Sequence, residues 1–343
     1  MLLGAGASHA SDLHLPTMRT FFSDPDLPRT VASFLAEYYG TTDPTDYDLE
    51  EVLTHLFLSE RRAPGWIGFE QSMVMQHLQA GLAYWTLLGY VRARLNPKDA
   101  PVCGHHVALF DELQPLDSVI SLNYDLVADQ ALHRHPRLSR GVDELSRGTR
   151  VDKLWSLLGY AGKPIDERAQ SEFTRRTHDP GYYLKLHGSI NWRRCRDPEC
   201  PGGVRVPEQV DEVEFVPVFQ GACEFCGGAL ESVIIPPVAA KSSNIRGRLQ
   251  RMWTTALREL AVATKIVVWG VSFAASDADL RWLVRFSVAF RGATRPQLHV
   301  INPDAAARRL AQRLFQPSAS AHEWADIEEY LKARPPIAGP SVK

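Results

Sequence analysis

The chain lacks any apolar run near the ~20 residues that a membrane-crossing helix requires, which excludes an integral helical membrane protein. No basic-then-apolar leader opens it; Met1-Leu2-Leu3 runs straight into glycine, and a soluble cytoplasmic protein is expected. Excess charge of either sign is missing too. With a net charge of -2, nothing in the balance advertises bulk nucleic-acid or anionic-membrane binding. Leu, Ile, Val and Phe are not depleted, which excludes a disordered chain, and there is no internal repeat. Cysteine is sparse, five in 343 residues, yet four fall between 195 and 226, which suggests a reducing compartment and a metal site more than a disulfide scaffold. A chain of 343 residues can bury a full core, as one large domain with insertions or as two domains.

What is present reads as α/β. The opening "MLLGAGASHASDLHLPTM" is a strand of at most three residues, a glycine turn and a helix start. From Pro28 to about Leu116 apolar residues recur at three- and four-residue spacing, as in "TVASFLAEYYG", and predict an inserted helical bundle over 28–116. Val119-Ile120-Ser121-Leu122 then reads as a strand, with helix from Ala128 onward, and the 137–181 stretch is polar with helical patches such as "KLWSLLGYAG". Tyr183-Leu184-Lys185-Leu186 is a short strand that stops at His187-Gly188. In the last third, "KIVVWG" and "QLHVIN" are strands set among the helices "LQRMWTTALRELAVA", "SDADLRWLVRFSVAF" and "PDAAARRLAQRLF". Apolar strands alternating with amphipathic helices predict a Rossmann-like parallel sheet with helices on both faces. The tail "RPPIAGPSVK" is expected to be loose.

Several residue groups could carry chemistry. Gly4-Ala5-Gly6-Ala7-Ser8 sits where a strand gives way to a helix, a place where glycines let the backbone approach a pyrophosphate; a plain structural turn is the alternative. The full GxGxxG fingerprint is absent, and no acidic residue stands at a strand end about 20 positions on, which argues against hydride transfer. Cys195-x4-Cys200 and Cys223-x2-Cys226, separated by 22 residues, suit a closed tetrahedral thiolate site, structural zinc rather than catalytic, with unligated thiols as the alternative. This predicts a zinc module over 193–232, and its acid-rich loop argues against direct nucleic-acid binding. Asn123 and Asp125 of "LNYD" follow a strand's carboxyl end, where open α/β sheets bind ligands; a helix cap or Asx-turn explains them as readily. His187 faces the same choice. His105-His106 and His133/His135 have no convergent partners and read as surface residues; Asp277 and Asp279 could touch ligand, with Ser276 as a helix N-cap followed by acids in the first turn as the alternative.

The order of these pieces resembles the sirtuin family of NAD-consuming enzymes. The family's pattern is G-A-G-x-S, Q-N-x-D, H-G, two cysteine pairs, G-T-S and a final strand ending in Asn. Here stand Gly4-Ala5-Gly6-Ala7-Ser8, Leu122-Asn123-Tyr124-Asp125, His187-Gly188, the four cysteines, Gly270-Val271-Ser272 and Ile301-Asn302. The resemblance implies a sirtuin-like NAD-binding domain from 1–27 and 117–343, interrupted by the 28–116 insertion. By the same resemblance His187 is the general base, Asn123 holds the nicotinamide ribose or the attacking water, and Asp125 lines the nicotinamide pocket. Gly4, Ala5, Gly6, Ser8, Gly270 and Ser272 would cradle the phosphates, and Asn302 would meet the adenosine ribose. Two departures matter. The P-D-F-R segment of deacylating sirtuins is replaced by Pro16-Thr17-Met18-Arg19, and the strand that pairs with acyl-lysine peptide by "ESVIIPPVAAK", whose Pro236-Pro237 cannot donate ladder hydrogen bonds. This combination is similar to the sirtuin-like NAD-hydrolysing domains of bacterial anti-phage defence proteins, several of which need a partner or oligomerisation to fire. It implies an NAD glycohydrolase releasing nicotinamide and ADP-ribose, with a homo-oligomer or an activating protein among its partners. An NAD-dependent protein deacylase and a non-catalytic NAD or ADP-ribose sensor are the alternatives.

Overall fold

The computed structural model describes residues 1–11, 14–17, 20–62, 79–83, 86–87, 89–91, 101–113, 117–134, 182–195, 197, 200, 204–205, 222–234, 248–275, 277–291, 294–319 and 321–333. Expectations for Met18 and Arg19, Ser276, Pro236-Pro237, the 153–162 patch and the 334–343 tail lie outside the described residues.

Six strands form one sheet: β1 (Leu2–Leu3), β2 (Val119–Ser121), β3 (Tyr183–Lys185), β7 (Lys265–Trp269), β8 (Gln297–Ile301) and β9 (His322–Trp324), in the spatial order β3-β2-β1-β7-β8-β9. Every neighbouring pair is parallel. Counted among themselves the strands run 3-2-1-4-5-6, the order of doubly wound dinucleotide-binding sheets, and the chain reverses its direction of travel between β1 and β7. The predicted α/β sheet is thus present. The β9 strand and the helix Ile327–Ala333 that follows it have no counterpart in the sequence reading.

Alternation along each strand splits the core into two layers. Leu2, Ile120, Leu184, Ile266, Val268, Leu298 and Val300 pack on one face with Met252 and Leu260 of the helix Arg248–Val262, Leu280 and Leu283 of the helix Ala278–Phe290, and Leu314 of the helix Ala305–Phe315. Leu3, Val119, Tyr183, Val267, Trp269 and Ile301 face the other way, onto Leu109 and Phe110, Ala128 and Ala131, and Ile327 and Tyr330. Both faces are covered, which is why strands such as "KIVVW" are almost wholly apolar.

His106 corrects the surface reading of the His105-His106 pair. It is fully buried, its ring centroid 4.5 Å from that of Trp269, because the short helix Gly104–Phe110 turns His106, Leu109 and Phe110 onto the sheet at i, i+3, i+4 spacing. Burial pushes its imidazole down to about 3, so it packs as a neutral ring.

A third core belongs to the helical block. Val31 and Leu35 of the helix Arg29–Tyr39, Leu49, Val52, Leu53 and Leu56 of the helix Leu49–Arg62, and Ala80, Ala83, Leu87 and Val91 pack together with Phe21, Phe22 and Tyr47. Gly40 ends the first of these helices in a left-handed conformation at φ 70°, and Asp48 Oδ1 accepts from the N–H of Glu50 and of Glu51 to start the second.

A small antiparallel sheet completes the fold. It has the order β5-β4-β6, from β5 (Val204–Arg205), β4 (Gly188–Cys195) and β6 (Leu230–Ile234). Where the strand Tyr183–Lys185 stops, Leu186 and His187 make a turn, and the chain enters the new strand β4 through Gly188 at φ 82°.

Candidate functional site

In a parallel sheet all carboxyl ends share one edge. Along that edge, in spatial order, stand His187 beyond β3, Asn123 and Asp125 beyond β2, Gly4 to Ser8 beyond β1, and Gly270 to Ser272 beyond β7. All of these except Gly6 and Ala7 are among the residues described as lining one cleft, which contains about 970 Å³ of space outside the protein atoms, open solvent included. Residues more than 260 positions apart in the chain meet here because the sheet order demands it.

The glycines at the switch point are required by contact. A Cβ on Gly4 would lie 2.6 Å from the Gly270 carbonyl oxygen, and one on Gly6 would lie 2.8 Å from Gly270 Cα. Gly270, at φ 67°, could carry a Cβ only 2.1 Å from Ala7 N. The N–H of Gly6 donates to Gly270 O at 3.0 Å, so the β1 and β7 turns are locked backbone to backbone. That bond also occupies one of the N–H groups at the start of the helix Ala5–His9.

Asn123 ties the second turn to the first. Its Nδ2 donates to Gly4 O at 3.0 Å and to Ser8 Oγ at 2.8 Å, which uses both amide hydrogens and leaves Oδ1 as the accepting group. Ser8 in turn donates to the Asp125 carboxylate. The N–H of Val127 donates to Asp125 Oδ1 at 3.0 Å, as in the cap that the sequence left open. Burial raises the Asp125 carboxyl above its ordinary value, opposed by Lys185 and by the bonds from Ser8 and Val127. Asn123 and Asp125 are thus both buried at the floor of the cleft, joined through Ser8.

His187 is held from several sides. Its Nδ1 lies 3.0 Å from the Leu122 carbonyl oxygen, which can only accept, so that nitrogen carries the proton and Nε2 is the basic one. The preceding carbonyl, Leu186 O, accepts from Trp253 Nε1 at 3.0 Å, and the Trp253 and Tyr124 rings each stand 6.0 Å from the imidazole. Just after it, the N–H of Ile190 donates to Tyr124 O at 3.0 Å, so the His187 turn and the Asn123–Asp125 turn are bonded together.

Ser272 lines the cleft with Gly270 and Val271, while Asn302 is not among the described lining residues. Asn302 is buried at the end of β8. Its Nδ2 donates to Val271 O at 3.1 Å and its Oδ1 accepts from Asp304 N at 2.9 Å, so both ends of its amide are engaged within the protein. Asp277, also lining the cleft, holds the N-cap position of the helix Ala278–Phe290 without a side-chain capping bond.

The sequence reading missed two contributions. The helical block supplies Leu49, Glu50 and Val91 to the cleft lining, beside Phe21 from the segment before it, and no motif there signalled it. Beneath the cleft, Lys185 Nζ donates to Asp129 Oδ2 at 2.8 Å and to Asp125 O at 2.6 Å, with Tyr183 Oη on the same Asp129 oxygen at 2.7 Å. Lys185 and Asp129 are both completely buried. The signal was a lysine between leucines in a strand otherwise apolar.

The four cysteines converge. The Sγ atoms of Cys195, Cys200, Cys223 and Cys226 lie within 4.8 Å of one another, with Cys195–Cys226 at 3.4 Å and Cys200–Cys223 at 3.5 Å. A tetrahedron with metal–sulfur bonds of ~2.3 Å has edges of about 3.8 Å, so the set fits a thiolate-bound metal ion. The surrounding turn fits too. Cys223 N–H donates to Gly228 O, Gly227 turns at φ 71°, and Gly228 N–H points at Cys226 Sγ at 3.4 Å. Backbone N–H groups of Cys226 and Phe225 pull the Cys223 thiol down to about 6, while burial pushes the Cys195 thiol of the same cluster up to about 12. No helix among the described residues is long and apolar enough to cross a membrane.

No family model matches the sequence, and no curated protein does. Among solved structures the chain is similar to a mutant Sir2 homologue in complex with 2′-O-acetyl ADP-ribose, at 17% identity over 96% of this chain and 87% of that one, with a TM-score of 0.47. It is also similar to a Sir2 enzyme solved for its mechanism and regulation, at 15% identity over 96% and 87% of the two chains and a TM-score of 0.43. A third is Sir2 bound to an inhibitor, 2′-O-acetyl-ADP-ribose and a deacetylated peptide, at 14% identity over 96% and 89% and a TM-score of 0.37.

Proposed function

We propose that this chain is a sirtuin-like NAD glycohydrolase that cleaves NAD to nicotinamide and ADP-ribose. The observation that supports it is the joining of Asn123, Asp125 and His187 in one cleft at the switch point of a 3-2-1-4-5-6 sheet. In the reaction the bond from ribose C1′ to the nicotinamide nitrogen breaks, and its electron pair leaves with a now neutral nicotinamide. Water adds to the oxocarbenium-like C1′ and gives up a proton. His187 Nε2 is the base for that proton or for a ribose hydroxyl, held in the correct tautomer by Leu122 O. Asn123 Oδ1 accepts from the ribose or from the water, and Asp125 lines the nicotinamide pocket. The Gly4–Ser8 and Gly270–Ser272 turns meet the phosphates. Asn302, its amide committed to Val271 and Asp304, serves by holding the second of those turns. The cysteine cluster holds a structural zinc, closed to chemistry by four thiolates.

Hydrolysis is favoured over deacylation by the departures at Thr17 and Met18, in the segment whose aromatic shields the reactive ribose in deacylases, and at Pro236-Pro237, in the strand that deacylases pair with peptide. This combination resembles the defence-type sirtuin-like domains, several of which need a partner or oligomerisation to fire. The test is an assay of the purified chain with NAD, with and without an acetyl-lysine peptide. Nicotinamide and ADP-ribose are expected without peptide, and His187→Ala or Asn123→Ala is expected to lower turnover by about 10²-fold or more with the fold kept. Turnover only with peptide would make the chain a deacylase, and nucleotide binding without turnover would make it a sensor.

A further inference from the structure

Neither Lys185 nor Asp129 is among the described residues that line the cleft, and the reaction proposed above uses neither. Their meeting follows from the chain's periods. Along β3 side chains alternate, so Tyr183 and Lys185 share one face of the sheet and Leu184 takes the other. Asp129 comes from the first turn of the helix Val127–Arg134, which packs on the Tyr183 face through Ala128 and Ala131. The Asp129 Oδ2 atom thus receives two donors from one strand, Lys185 Nζ at 2.8 Å and Tyr183 Oη at 2.7 Å.

A buried ion pair is a poor source of stability, because taking two charges out of water cancels most of their attraction, and apolar side chains of similar volume hold a core about as well. What apolar side chains could not supply is the other bond that Lys185 Nζ makes, 2.6 Å to the Asp125 carbonyl oxygen. That carbonyl belongs to the turn that carries Asn123 and Asp125. Further ties on the turn run from Asn123 Nδ2 to Gly4 O and Ser8 Oγ, and from Ile190 N–H to Tyr124 O. Lys185 adds a charged donor to the turn's backbone, and its charge also opposes the effect of burial on the Asp125 carboxyl. We infer that Lys185 is a positioning residue for the reaction: anchored by Asp129, its ammonium fixes the backbone of the Asn123–Asp125 turn, and through it the two side chains that meet the nicotinamide ribose and ring. The inference rests on the NAD reading for what those two side chains do; the anchoring of the turn stands apart from it.

The test separates positioning from stability with two variants of the full chain. Lys185→Met with Asp129→Asn takes the donor from Asp125 O without stranding a carboxylate. Tyr183→Phe takes one donor from Asp129 and leaves Lys185 on Asp125 O. Nicotinamide release from NAD is followed at a temperature where each variant is folded, and turnover is divided by the concentration of ADP-binding sites. ADP keeps the two phosphates but lacks nicotinamide and its ribose. The double variant should lose about tenfold or more in kcat, as for a misplaced reacting group, with its Kd for ADP within about twofold of wild type. Tyr183→Phe should melt lower yet keep kcat within about twofold. Hydrogen exchange at the Val127 N–H, which donates to Asp125 Oδ1, reads the turn without substrate. Its protection should fall about tenfold or more in the double variant and hold in Tyr183→Phe. Unchanged kcat or unchanged Val127 protection in the double variant would overturn the inference. So would equal losses in the two variants, or a double variant that no longer folds, since the pair would then serve the fold rather than the turn. A wild-type chain that releases no nicotinamide would remove the NAD reading, and Val127 exchange would still decide whether Lys185 holds the turn.

Discussion

The ion pair beneath the cleft offers the sharpest test of how the site is held. Lys185 Nζ sits 2.8 Å from Asp129 Oδ2, with both side chains at 1% exposure or less. Replacing Lys185 by Met keeps most of the side-chain volume but leaves the Asp129 carboxylate in a dry core with only the Tyr183 hydroxyl on its oxygen. Breaking a buried pair from one side costs about 3–5 kcal/mol, most of it the desolvation of the abandoned charge. At ~2 °C per kcal/mol for a large domain, Tm should fall by roughly 6–10 °C. If the stranded charge is the cause, a second change should repair the first. Lys185→Met with Asp129→Asn removes the charge yet keeps an acceptor for Tyr183, and should recover to within about 1–2 kcal/mol of wild type. Thermal and urea unfolding of the two variants and the wild type provide the measurement. A loss below about 1 kcal/mol in Lys185→Met, or no recovery in the double variant, would refute the reasoning. Lys185 also holds Asp125 O at 2.6 Å, so even the repaired variant should turn over NAD more slowly than wild type.

Two further outcomes follow from charge and from metal. Burial holds the Asp125 carboxyl above its ordinary 3.8, so its stabilising contribution is complete below that pH and is lost as pH rises through the raised value. Asp125→Asn should therefore melt higher than wild type at neutral pH, with the gain vanishing near pH 4, while turnover drops by about tenfold or more; a variant less stable than wild type at pH 7 would contradict this. Cys223→Ser, or removal of metal by a chelator, should strip hydrogen-exchange protection from β4 and β6 and lower Tm. A metal-free chain of unchanged melting would remove the zinc site.

Much of this arrangement was legible in the residues, for identifiable reasons. Strands β2, β3, β7 and β8 are buried on both faces and so read as apolar runs, and the helices between them carry a clear three-to-four spacing. Gly4, Asn123, His187 and Gly270 each follow such a run directly, which is why their convergence could be expected from the sheet alone. The β9 strand was not legible. His322, Glu323 and Trp324 are exposed or half-buried on the sheet's edge, and three such residues have no period to read. His106 was misread because a seven-residue helix is too short to display its buried face in sequence. Glu50 left no trace at all. It lies in an ordinary amphipathic helix, and only the approach of that helix to the sheet edge gives it a place in the cleft.

Among the described residues, His187 stands where the parallel sheet's β3 runs directly into the antiparallel sheet's β4. Behind it, β3 is fixed in the parallel sheet, and Leu186 N–H donates to Ser121 O. Ahead of it, Gly188 pairs with Ile234 of β6, and β4 then runs through a bulge to Cys195. The eight residues of β4 at ~3.3 Å each put about 25 Å between the imidazole and the first metal ligand. On the proposed reading, an ion held by the cysteines would be too far away to polarise the substrate or shift the His187 base, and its part would be mechanical. The cluster anchors the far end of β4, while Leu122 O, Tyr124 O and the Gly188–Ile234 pairing anchor the near end. On that reading the two ends of β4 are anchored separately, one at the histidine's strand junction and the other at the four cysteines. The histidine is framed on each side of a glycine turn, and on the antiparallel side the described residues form only three short strands, to which the cysteine cluster adds a second anchor.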